Sequence, residues 1–487
     1  MAPVYHPSAE DLKLPVRHFI SFLNSIPPRR LMLISIIIPF LLLTAISLAP
    51  LGLNDEMRYS LAILVCVSTL WTFGMVPLAV TALLVPVLLV GFGIFSPKEA
   101  LSPFADPVVY LLVGGLIIAE TFRRNGMDKR LAYYLVHAAG GDLKRTTVAL
   151  MATAAILSMW ISNTATVALL IPVVTSVASQ AGNDSRKVAG FLLISVSMAT
   201  AFGSLSTIVG SPTNAITSGL LAKEISWTFI DWAVIGVPVA LMSLLLALLL
   251  LPKVLRPPKK RLDIAEVDRM REKLGPVGHM EKAILVVFSF TILAWMFGED
   301  IADVLGIPGG LMNSGIIALM SAVVMFLIGA VRWEDAKNIA WDVFLIIGAG
   351  LALGEALEKT GTAQWMGDAV SSFSGGSPLL ITMLIFALIT FLLTSILSNT
   401  ATAAILVPIA ISTSRSLDIE PTYLALVVGM VASISLVTPV GTPPVTLAFS
   451  TGTFSRADLA RSGLAVGLPV MLLIVLTVYM FVLVGIL

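Results

Sequence analysis

Two nearly identical polar triads interrupt apolar stretches of this chain. The sequence SNT at 162–164 opens the segment SNTATVALLIPV, and SNT at 398–400 opens SNTATAAILVPI, 236 positions later. A helix that breaks inside a membrane leaves N–H groups that favour an oxyanion and carbonyl groups that favour a hard cation. Because Ser, Thr and Asn side chains can bind either kind of ion, the triads predict a site for a small dianion and Na⁺.

A hydroxyl group precedes each triad by one helical turn. Ser158 lies four residues before Ser162, and Thr394 lies four residues before Ser398. Side chains four residues apart lie on the same face of a helix, so each hydroxyl is placed to complete a cation site behind its triad. Neither triad contains a charged residue. A proton-coupled antiporter would more typically bury Asp or Glu at its broken helices.

The triads belong to a longer internal repeat. LLVGGLIIAETFRRNG at 111–126 aligns with IIGAGLALGEALEKTG at 346–361, at an offset of 235. GSPTN at 210–214 aligns with GTPPV at 441–445, at an offset of 231. Three landmarks in one order and at nearly one spacing predict two copies of one unit. Gly/Pro interruptions at matching places in both copies are typical of the binding sites of secondary transporters.

Composition places these motifs in a membrane. The chain has 487 residues, of which 57% are hydrophobic and 12% charged, whereas soluble domains have about 25% charged residues. Apolar runs long enough to cross a bilayer recur along the whole length, which predicts an all-α polytopic membrane protein. Cys66 is the single cysteine, which excludes an internal disulfide. The first 30 residues lack the apolar core of a signal peptide, so we expect a cytoplasmic N-terminus.

We predict about 11 transmembrane helices and two re-entrant hairpins. The hairpins, 146–179 and 378–413, are too long for one simple span and are interrupted by the SNT triads. Irregular backbone at membrane depth is tolerated where protein or a water-filled cavity receives it. The predicted spans are 31–51, 59–74, 76–95, 107–122, 188–222, 228–251, 281–298, 311–331, 340–357, 421–449 and 459–487.

The distribution of charge orients this layout. With both hairpins counted as re-entrant, the basic loops around 123–130, 144–145, 186–187 and 253–273 lie in the cytoplasm, as the positive-inside rule prefers. The acidic loop 299–303 and the C-terminus then lie outside. The first hairpin enters from the cytoplasm and the second from outside. The two copies therefore form an inverted repeat, with two hairpin tips near the bilayer midplane.

Other classes of protein fit the residues less well. No zinc-protease HExxH helix occurs, and the four histidines all lie outside the predicted spans, so we expect no enzyme. We expect Glu120 and Glu355, near span ends, to pair with a nearby base rather than to carry protons. Small residues also let membrane helices pack closely, but that does not explain a duplicated triad with paired breaks. An anion channel remains an alternative, although channels usually form their filter from symmetric subunits.

The paired SNT motifs, each followed by a Gly–Ser/Thr–Pro break, resemble the divalent anion/sodium symporter family, in its dicarboxylate transporter branch. The resemblance extends from about residue 31 to the end of the chain. It implies a homodimer in the cell (inner or plasma) membrane, whose transport domains move as elevators against a scaffold. It also implies transport of C4-dicarboxylates such as succinate, malate and fumarate with Na⁺, and no binding of nucleic acid. Exchange of dicarboxylates, or transport of sulfate, citrate or another anion, stays open as an alternative.

The same resemblance implies a division of the chain into segments. Residues 1–30 form a cytoplasmic N-terminal segment, and 252–280 form a cytoplasmic linker. The scaffold parts of the two repeats are 31–135 and 281–375. The transport parts, each with a hairpin and a broken helix, are 136–251 and 376–487.

The resemblance also assigns roles to individual residues. Two or more Na⁺ sites are implied, with ligands from side chains and backbone at each tip and break. The cation ligands are Ser158, Ser162, Asn163 and Gly210 in the first half and Thr394, Leu397, Asn399 and Gly441 in the second. The residues of the substrate pocket are Asn163, Thr164, Ser211, Pro212, Ser398, Asn399, Thr400, Thr442 and Pro443.

One position departs from the family pattern. The family continues its second break as Pro–Pro–Asn, in the way that the first half of this chain reads SPTN. Here the first half has Asn214, but the second half has Val445 at the matching position. An amide is therefore lost beside the second tip, which bears on the second Na⁺ site and on the preference for dicarboxylates.

Overall fold

The computed structural model describes residues 28–74, 76–258, 261–374, 378–434, 436–439, 442–485 and 487. These residues form helices joined by short connections, and the prediction of an all-α membrane protein is confirmed. The described residues of the first half form eleven α-helices. They are α1 (Pro28–Leu48), α2 (Asp55–Phe73), α3 (Leu78–Gly91), α4 (Pro97–Leu101), α5 (Pro107–Arg124), α6 (Met127–Ala138), α7 (Leu143–Ser158), α8 (Asn163–Ser179), α9 (Ser185–Ser204), α10 (Pro212–Leu221) and α11 (Phe229–Leu255).

The described residues of the second half repeat this order after a short helix in the linker. They are α12 (Ala265–Lys273), α13 (His279–Leu305), α14 (Ser314–Leu327), α15 (Trp333–Ala336), α16 (Asp342–Lys359), α17 (Thr362–Ser374), α18 (Leu379–Thr394), α19 (Asn399–Ser416), α20 (Pro421–Ala432), α21 (Pro443–Ser450) and α22 (Arg456–Leu483). Helices α11 and α13 extend a few residues into the predicted linker 252–280 from either end. The division into scaffold and transport parts stays a prediction.

Among the described residues, four helices are individually long and apolar enough to cross a bilayer. They cover Gly182–Ser204, Phe229–Leu255, His279–Leu305 and Arg456–Leu483. A fifth span would join Pro97–Ala105 to Pro107–Arg124 across a 41° bend. The other predicted spans correspond to helices that are shorter, carry charge near an end, or break partway. Broken helices leave backbone N–H and C=O groups unpaired. In a membrane protein these groups are buried against other helices, because the bilayer core has no water to bind them.

Both apolar stretches that were predicted to turn back are helical hairpins. Helices α7 and α8 enclose residues 159–162, and helices α18 and α19 enclose 395–398. We call the residues 158–164 the first tip and 394–400 the second tip. The spans that follow the hairpins are each broken, as their Gly/Pro motifs predict. The first break, 205–211, separates α9 from α10, and the second break, 433–442, separates α20 from α21.

The two halves interlock across these breaks. Helix α10, after the first break, packs on α19 of the second hairpin, and α21, after the second break, packs on α8 of the first hairpin. The close approach of neighbouring helices explains why glycine occurs at positions 203 and 429. A Cβ atom at Gly203 would lie 2.4 Å from the Ala155 backbone, and one at Gly429 would lie 2.2 Å from the Thr217 hydroxyl. Each half thus completes the surroundings of the other half's hairpin.

Ion pairs between distant segments agree with the predicted layout. Each joins two segments that the layout places on the same face of the membrane. On the face assigned to the cytoplasm, the ion pairs are Arg124–Asp335 and Arg130–Glu281, and His137 Nδ1 lies 2.6 Å from an Asp268 oxygen. On the opposite face, they are Lys223–Glu355, Arg415–Glu224, Arg415–Glu358 and Lys359–Glu99. Which face is cytoplasmic stays a prediction.

The two glutamates near the span ends are paired with bases. Glu120 accepts two hydrogen bonds from Arg123, at 2.7 and 2.5 Å, and Glu355 pairs with Lys223. The prediction that both carboxylates are structural rather than proton carriers is therefore supported by their partners. Lys359 donates to Glu99 at 2.9 Å, on the face opposite to the one that we assign to the cytoplasm.

Candidate substrate and cation site

The first tip is held by hydrogen bonds within the SNT motif. Ser162 is the N-cap of α8, and its Oγ accepts a hydrogen bond from the Ala165 N–H at 3.3 Å, which is the usual role of serine at a helix start. The hydroxyl of Ser158, which is fully buried, donates to the Oδ1 of Asn163. The Asn163 amide lies 3.4 Å from Ser204 Oγ at the end of α9. The tip is thereby joined to the first break.

The second tip has the same arrangement 236 residues later. Ser398 caps α19, and its Oγ accepts from the Ala401 N–H at 3.2 Å. The hydroxyl of Thr394, also fully buried, lies 2.9 Å from Asn399 Oδ1 and 2.7 Å from the Ala432 carbonyl at the end of α20. Equivalent residues therefore make equivalent contacts, so the duplication in the sequence is a duplication of geometry.

A threonine fastens each break to its tip. Thr207 Oγ1 in the first break donates to the Met159 carbonyl at 2.5 Å, and Thr438 Oγ1 in the second break donates to the Ser395 carbonyl at 3.1 Å. Thr207 also accepts from the Gly210 N–H at 3.1 Å. Sequence reasoning missed both threonines. They were detectable, since Thr207 and Thr438 lie at the same 231-residue offset as the GSPTN and GTPPV motifs.

The first break is closed by an asparagine amide. Asn214 is fully buried, and its Nδ2 donates to the carbonyls of Ser204 and Thr207, at 2.7 and 2.8 Å. Ser204 is the last residue of α9 and Thr207 lies beyond it, so neither carbonyl has a partner within that helix. One side chain thus satisfies two backbone groups and fixes the path of the chain toward Gly210.

The second break lacks this amide. Val445 occupies the position that matches Asn214 and is 1% exposed. Thr446 instead donates to the Pro439 carbonyl at 2.5 Å. The hydroxyl of Thr442 is buried and has no hydrogen-bond partner among the described residues. Gly441, which was predicted to contribute a backbone ligand, lies outside the described residues.

The two breaks meet at Ser433. Its hydroxyl pairs with that of Thr213 and lies 3.3 Å from Asn214 Oδ1. Ser433 comes directly after α20, whereas Thr213 and Asn214 begin α10. Sequence reasoning also missed Ser433, because its counterpart in the first half is Phe202 and the repeat gives no signal there. Through Ser433, the polar contacts of the two halves form one connected cluster.

The structure therefore brings most of the predicted residues into this cluster. Ser158, Ser162, Asn163 and Gly210 lie at the first tip and break, and Thr394, Leu397, Ser398 and Asn399 lie at the second tip. Thr164 and Thr400 stand in the first turns of α8 and α19 and are half-buried. Ser211 is buried and caps α10, Pro212 is partly buried, and Pro443 is exposed. Their roles as ligands stay a prediction.

The chemistry of the cluster suits ions of both signs. Helices α8, α10 and α19 begin in it, and helix N-termini attract anions. Hydroxyl, amide and carbonyl oxygens beside them are the ligands that hard cations prefer. No charged side chain occurs in either tip or in the motifs GSPTN and GTPPV. An ion that enters the cluster therefore meets no charged side chain of the tips or of these motifs.

Comparisons with known proteins agree with this arrangement. Residues 29–486 match the family model described as the sodium:sulfate symporter transmembrane region. A sodium-dependent dicarboxylate transporter of Staphylococcus saprophyticus is 31% identical over 475 residues, which cover 90% of this chain and 89% of that protein. An uncharacterized transporter of Haemophilus influenzae is 31% identical over 456 residues, which cover 92% of this chain and 96% of that protein.

A solved structure shares the fold at low sequence identity. The YdaH transporter of Alcanivorax borkumensis superposes with a TM-score of 0.53 and 14% identity, over 79% of this chain and 87% of that chain. Its crystal structure is described as having an unusual topology. At this identity the likeness concerns the fold alone.

Proposed function

Because this chain belongs to the family of the sodium:sulfate symporter transmembrane region, we propose that it moves C4-dicarboxylates such as succinate, malate and fumarate across the membrane together with Na⁺. The predicted membership of the divalent anion/sodium symporter family is confirmed. The protein is a multi-pass membrane transporter and not an enzyme. The dicarboxylate substrate is proposed from the Staphylococcus relative, which is named for that activity.

The observation that carries the proposal is the pair of equivalent tips in one polar cluster. A dicarboxylate has two negative ends, and each SNT tip offers the N-terminus of a helix with an Asn and a Thr beside it. In this proposal Asn163 and Thr164 bind one carboxylate, and Asn399 and Thr400 bind the other. Ser398 also meets a substrate carboxylate, and the pocket between the tips is shaped by Ser211, Pro212, Thr442 and Pro443.

Two Na⁺ ions would offset the charge of the substrate. The first would be bound by Ser158, Ser162, Asn163 and the backbone at Gly210. The second would be bound by Thr394, Asn399 and the backbone at Leu397 and Gly441. The buried hydroxyls of Ser158 and Thr394 support these assignments, because each contacts the amide oxygen of the tip asparagine. A cation there would take the place of the hydroxyl proton as the partner of that oxygen.

Movement of the site across the membrane is part of the same proposal. We infer that the two hairpins and broken helices move together, as an elevator, against a scaffold formed by the remaining helices of both halves, in a homodimer. The interlocking of α10 with α19 and of α21 with α8 supports a single moving unit, since neither hairpin can shift alone without losing that packing. The N-terminus would be cytoplasmic and the C-terminus outside.

Uptake of radiolabelled succinate into proteoliposomes tests the function. Three conditions are compared: an inward Na⁺ gradient, K⁺ in its place, and internal unlabelled succinate. We expect uptake that requires the Na⁺ gradient and that unlabelled fumarate or malate inhibits. Uptake that needs internal succinate but no Na⁺ would instead identify an exchanger. Inhibition by sulfate or citrate, and not by C4-dicarboxylates, would contradict the proposed substrate.

A second candidate function is dicarboxylate exchange, and Val445 is the observation that favours it. If the second break binds Na⁺ poorly, the Na⁺ gradient would drive transport weakly. The transport domain would then cross in both directions only while it carries a dicarboxylate, which is exchange. The condition with internal succinate distinguishes this candidate from symport.

A further inference from the structure

An apolar crevice lies beside the first tip, outside the polar cluster. Its volume is about 360 Å³, and its walls come from α5, α6, α7 and α13. The crevice opens at the protein surface, since Tyr134, Ile156 and Leu285 in its walls are 47, 44 and 44% exposed. These helices lie within or beside the predicted spans. A space of this size beside predicted spans suits hydrocarbon, because most of its lining side chains are apolar and give water few polar partners.

The deep end of the crevice is formed by aromatic rings. Trp160, two residues before Ser162, lies with its ring centroid 5.0 Å from that of Phe288 and 6.0 Å from that of Trp295. Phe122 lies edge-on to Phe288 at 4.9 Å. Whatever fills the crevice therefore contacts the turn that carries the first SNT motif.

The other end reaches the face that we assign to the cytoplasm. Arg130 lines it, but this guanidinium is already bound by Glu281 at 3.0 Å and by the Gly275 carbonyl at 2.8 Å. Tyr134 lines it as well, and the Arg271 guanidinium lies 5.8 Å from the centroid of that ring. Among the described residues, Arg271 makes no ion pair with a carboxylate. A cation available to an external anion thus stands at the mouth of an apolar crevice.

The surrounding linker adds positive charge. Residues 252–280 contain eight Lys or Arg and four Asp or Glu. Helix α12, which carries Arg271, packs against α6 at the mouth of the crevice. Basic segments next to membrane helices attract the anionic lipids of the cytoplasmic leaflet. Charge and shape therefore point to the same occupant.

We propose that this crevice binds an anionic phospholipid. One acyl chain lies between α5, α7 and α13 and ends against Trp160, and the phosphate group lies at Arg271 beside Tyr134. The site is independent of the substrate pocket and does not depend on which anion the protein transports. Because the acyl chain would contact both the first hairpin and α13, the lipid would bridge the proposed moving and fixed parts of the protein.

Native mass spectrometry of the delipidated full-length protein tests the proposal. The protein is titrated with phosphatidylglycerol or with phosphatidylcholine of the same acyl chains. We expect one phosphatidylglycerol per protomer, bound about fivefold more tightly than phosphatidylcholine, as one accessible basic residue near an anionic headgroup would give. Equal binding of the two lipids by the parent protein would overturn the anionic assignment.

Filling the crevice should remove the bound lipid. Ile156→Trp on α7 and Leu285→Trp on α13 each place a bulky ring in the crevice. Because the two residues lie on different helices, one variant can still test the site if the other does not fold. Leu392→Trp is the matched control, because Leu392 lies 236 residues after Ile156, is 56% exposed and does not line the crevice. We expect loss of the tightly bound lipid in both crevice variants and retention in the control. Retention in a folded crevice variant would overturn the site.

The headgroup contact is tested separately. Arg271→Gln should bind phosphatidylglycerol only as tightly as phosphatidylcholine. Arg269→Gln, on the same helix but paired with Glu266, should keep the fivefold preference. An unchanged preference in Arg271→Gln, or the same loss in both variants, would overturn the assignment of the phosphate to Arg271.

Discussion

The two breaks differ at one position that decides how their backbone is held. In the first break, Asn214 binds two carbonyls, of Ser204 and Thr207. In the second break, the matching residue is Val445, whose side chain cannot donate a hydrogen bond. Both breaks otherwise fasten to their tips in the same way, by Thr207 and Thr438.

This difference teaches that duplication of a motif does not make two equal sites. The amide of Asn214 sets the direction of the carbonyls next to Gly210, where we place the first Na⁺. The second break relies on Thr446 and Pro439, which lie on either side of Thr442. We therefore expect the first Na⁺ to bind more tightly than the second. The variants below, in order of decreasing effect, test how far the two halves are equivalent.

The largest loss of succinate uptake is expected from variants of the two tips, where the two halves are alike. Asn163→Ala and Asn399→Ala each remove an amide that we place on both Na⁺ and substrate. Hydrogen bonds to charged groups contribute about 1.5–3 kcal/mol, so we expect uptake of succinate to fall by about 10- to 150-fold in each variant. Uptake in proteoliposomes at equal protein incorporation measures this.

The matched control is Asn338→Ala, an exposed asparagine that binds the Glu334 carbonyl. It should transport normally. Near-normal uptake in both tip variants would remove the polar cluster as the transport site, and loss in only one would show that a single tip binds the substrate.

The next effect comes from copying the second half into the first. Asn214→Val leaves the buried Ser204 carbonyl without a described donor, whereas the Thr207 carbonyl keeps the Gly210 N–H at 3.3 Å. An unsatisfied buried group costs about 1–3 kcal/mol, so we expect the free energy of unfolding to fall by about 2 kcal/mol. We also expect the Na⁺ concentration for half-maximal uptake to rise by about tenfold. Thermal unfolding and Na⁺ titration of uptake measure the two effects, and an unchanged Na⁺ dependence would separate Asn214 from cation binding.

The converse change should have a smaller effect of opposite sign. Val445→Asn gives the second break the amide that it lacks, so we expect tighter Na⁺ binding, with half-saturation lowered by about fivefold, a gain of about 1 kcal/mol. Na⁺ titration of uptake measures this change.

Val239→Asn is the control, because Val239 is fully buried within α11 and far from a break in sequence. That control should be destabilised by about 1–3 kcal/mol with no gain in Na⁺ affinity. Similar destabilisation of both variants would mean that the second break has no carbonyls for an amide to bind.

The sequence predicted the features that depend on repeated motifs at the feature itself. The SNT motifs predicted both hairpins, and the Gly/Pro motifs predicted both breaks, because broken helices require special residues at the break itself. Ser433 could not be predicted, since its contacts with Thr213 and Asn214 join residues about 220 positions apart. The crevice beside Trp160 was equally hidden. It depends on how α7 packs against α13, and apolar residues look alike whether they face lipid, a crevice or another helix.

The smallest effect on stability is expected at Thr442. Its hydroxyl is buried without a hydrogen-bond partner among the described residues, whereas the matching Ser211 binds Thr213 at 2.7 Å. Thr442→Val keeps the shape and removes a group that makes no described hydrogen bond, so unfolding should change by no more than about 0.5 kcal/mol. If the hydroxyl instead binds the transported anion, half-saturation for succinate should rise by about threefold. Ser211→Ala should instead show a measurable loss of stability, because it removes the α10 N-cap that accepts from the Thr213 N–H at 3.4 Å. An unchanged succinate dependence in Thr442→Val would take Thr442 out of the pocket and leave the substrate to the two tips alone.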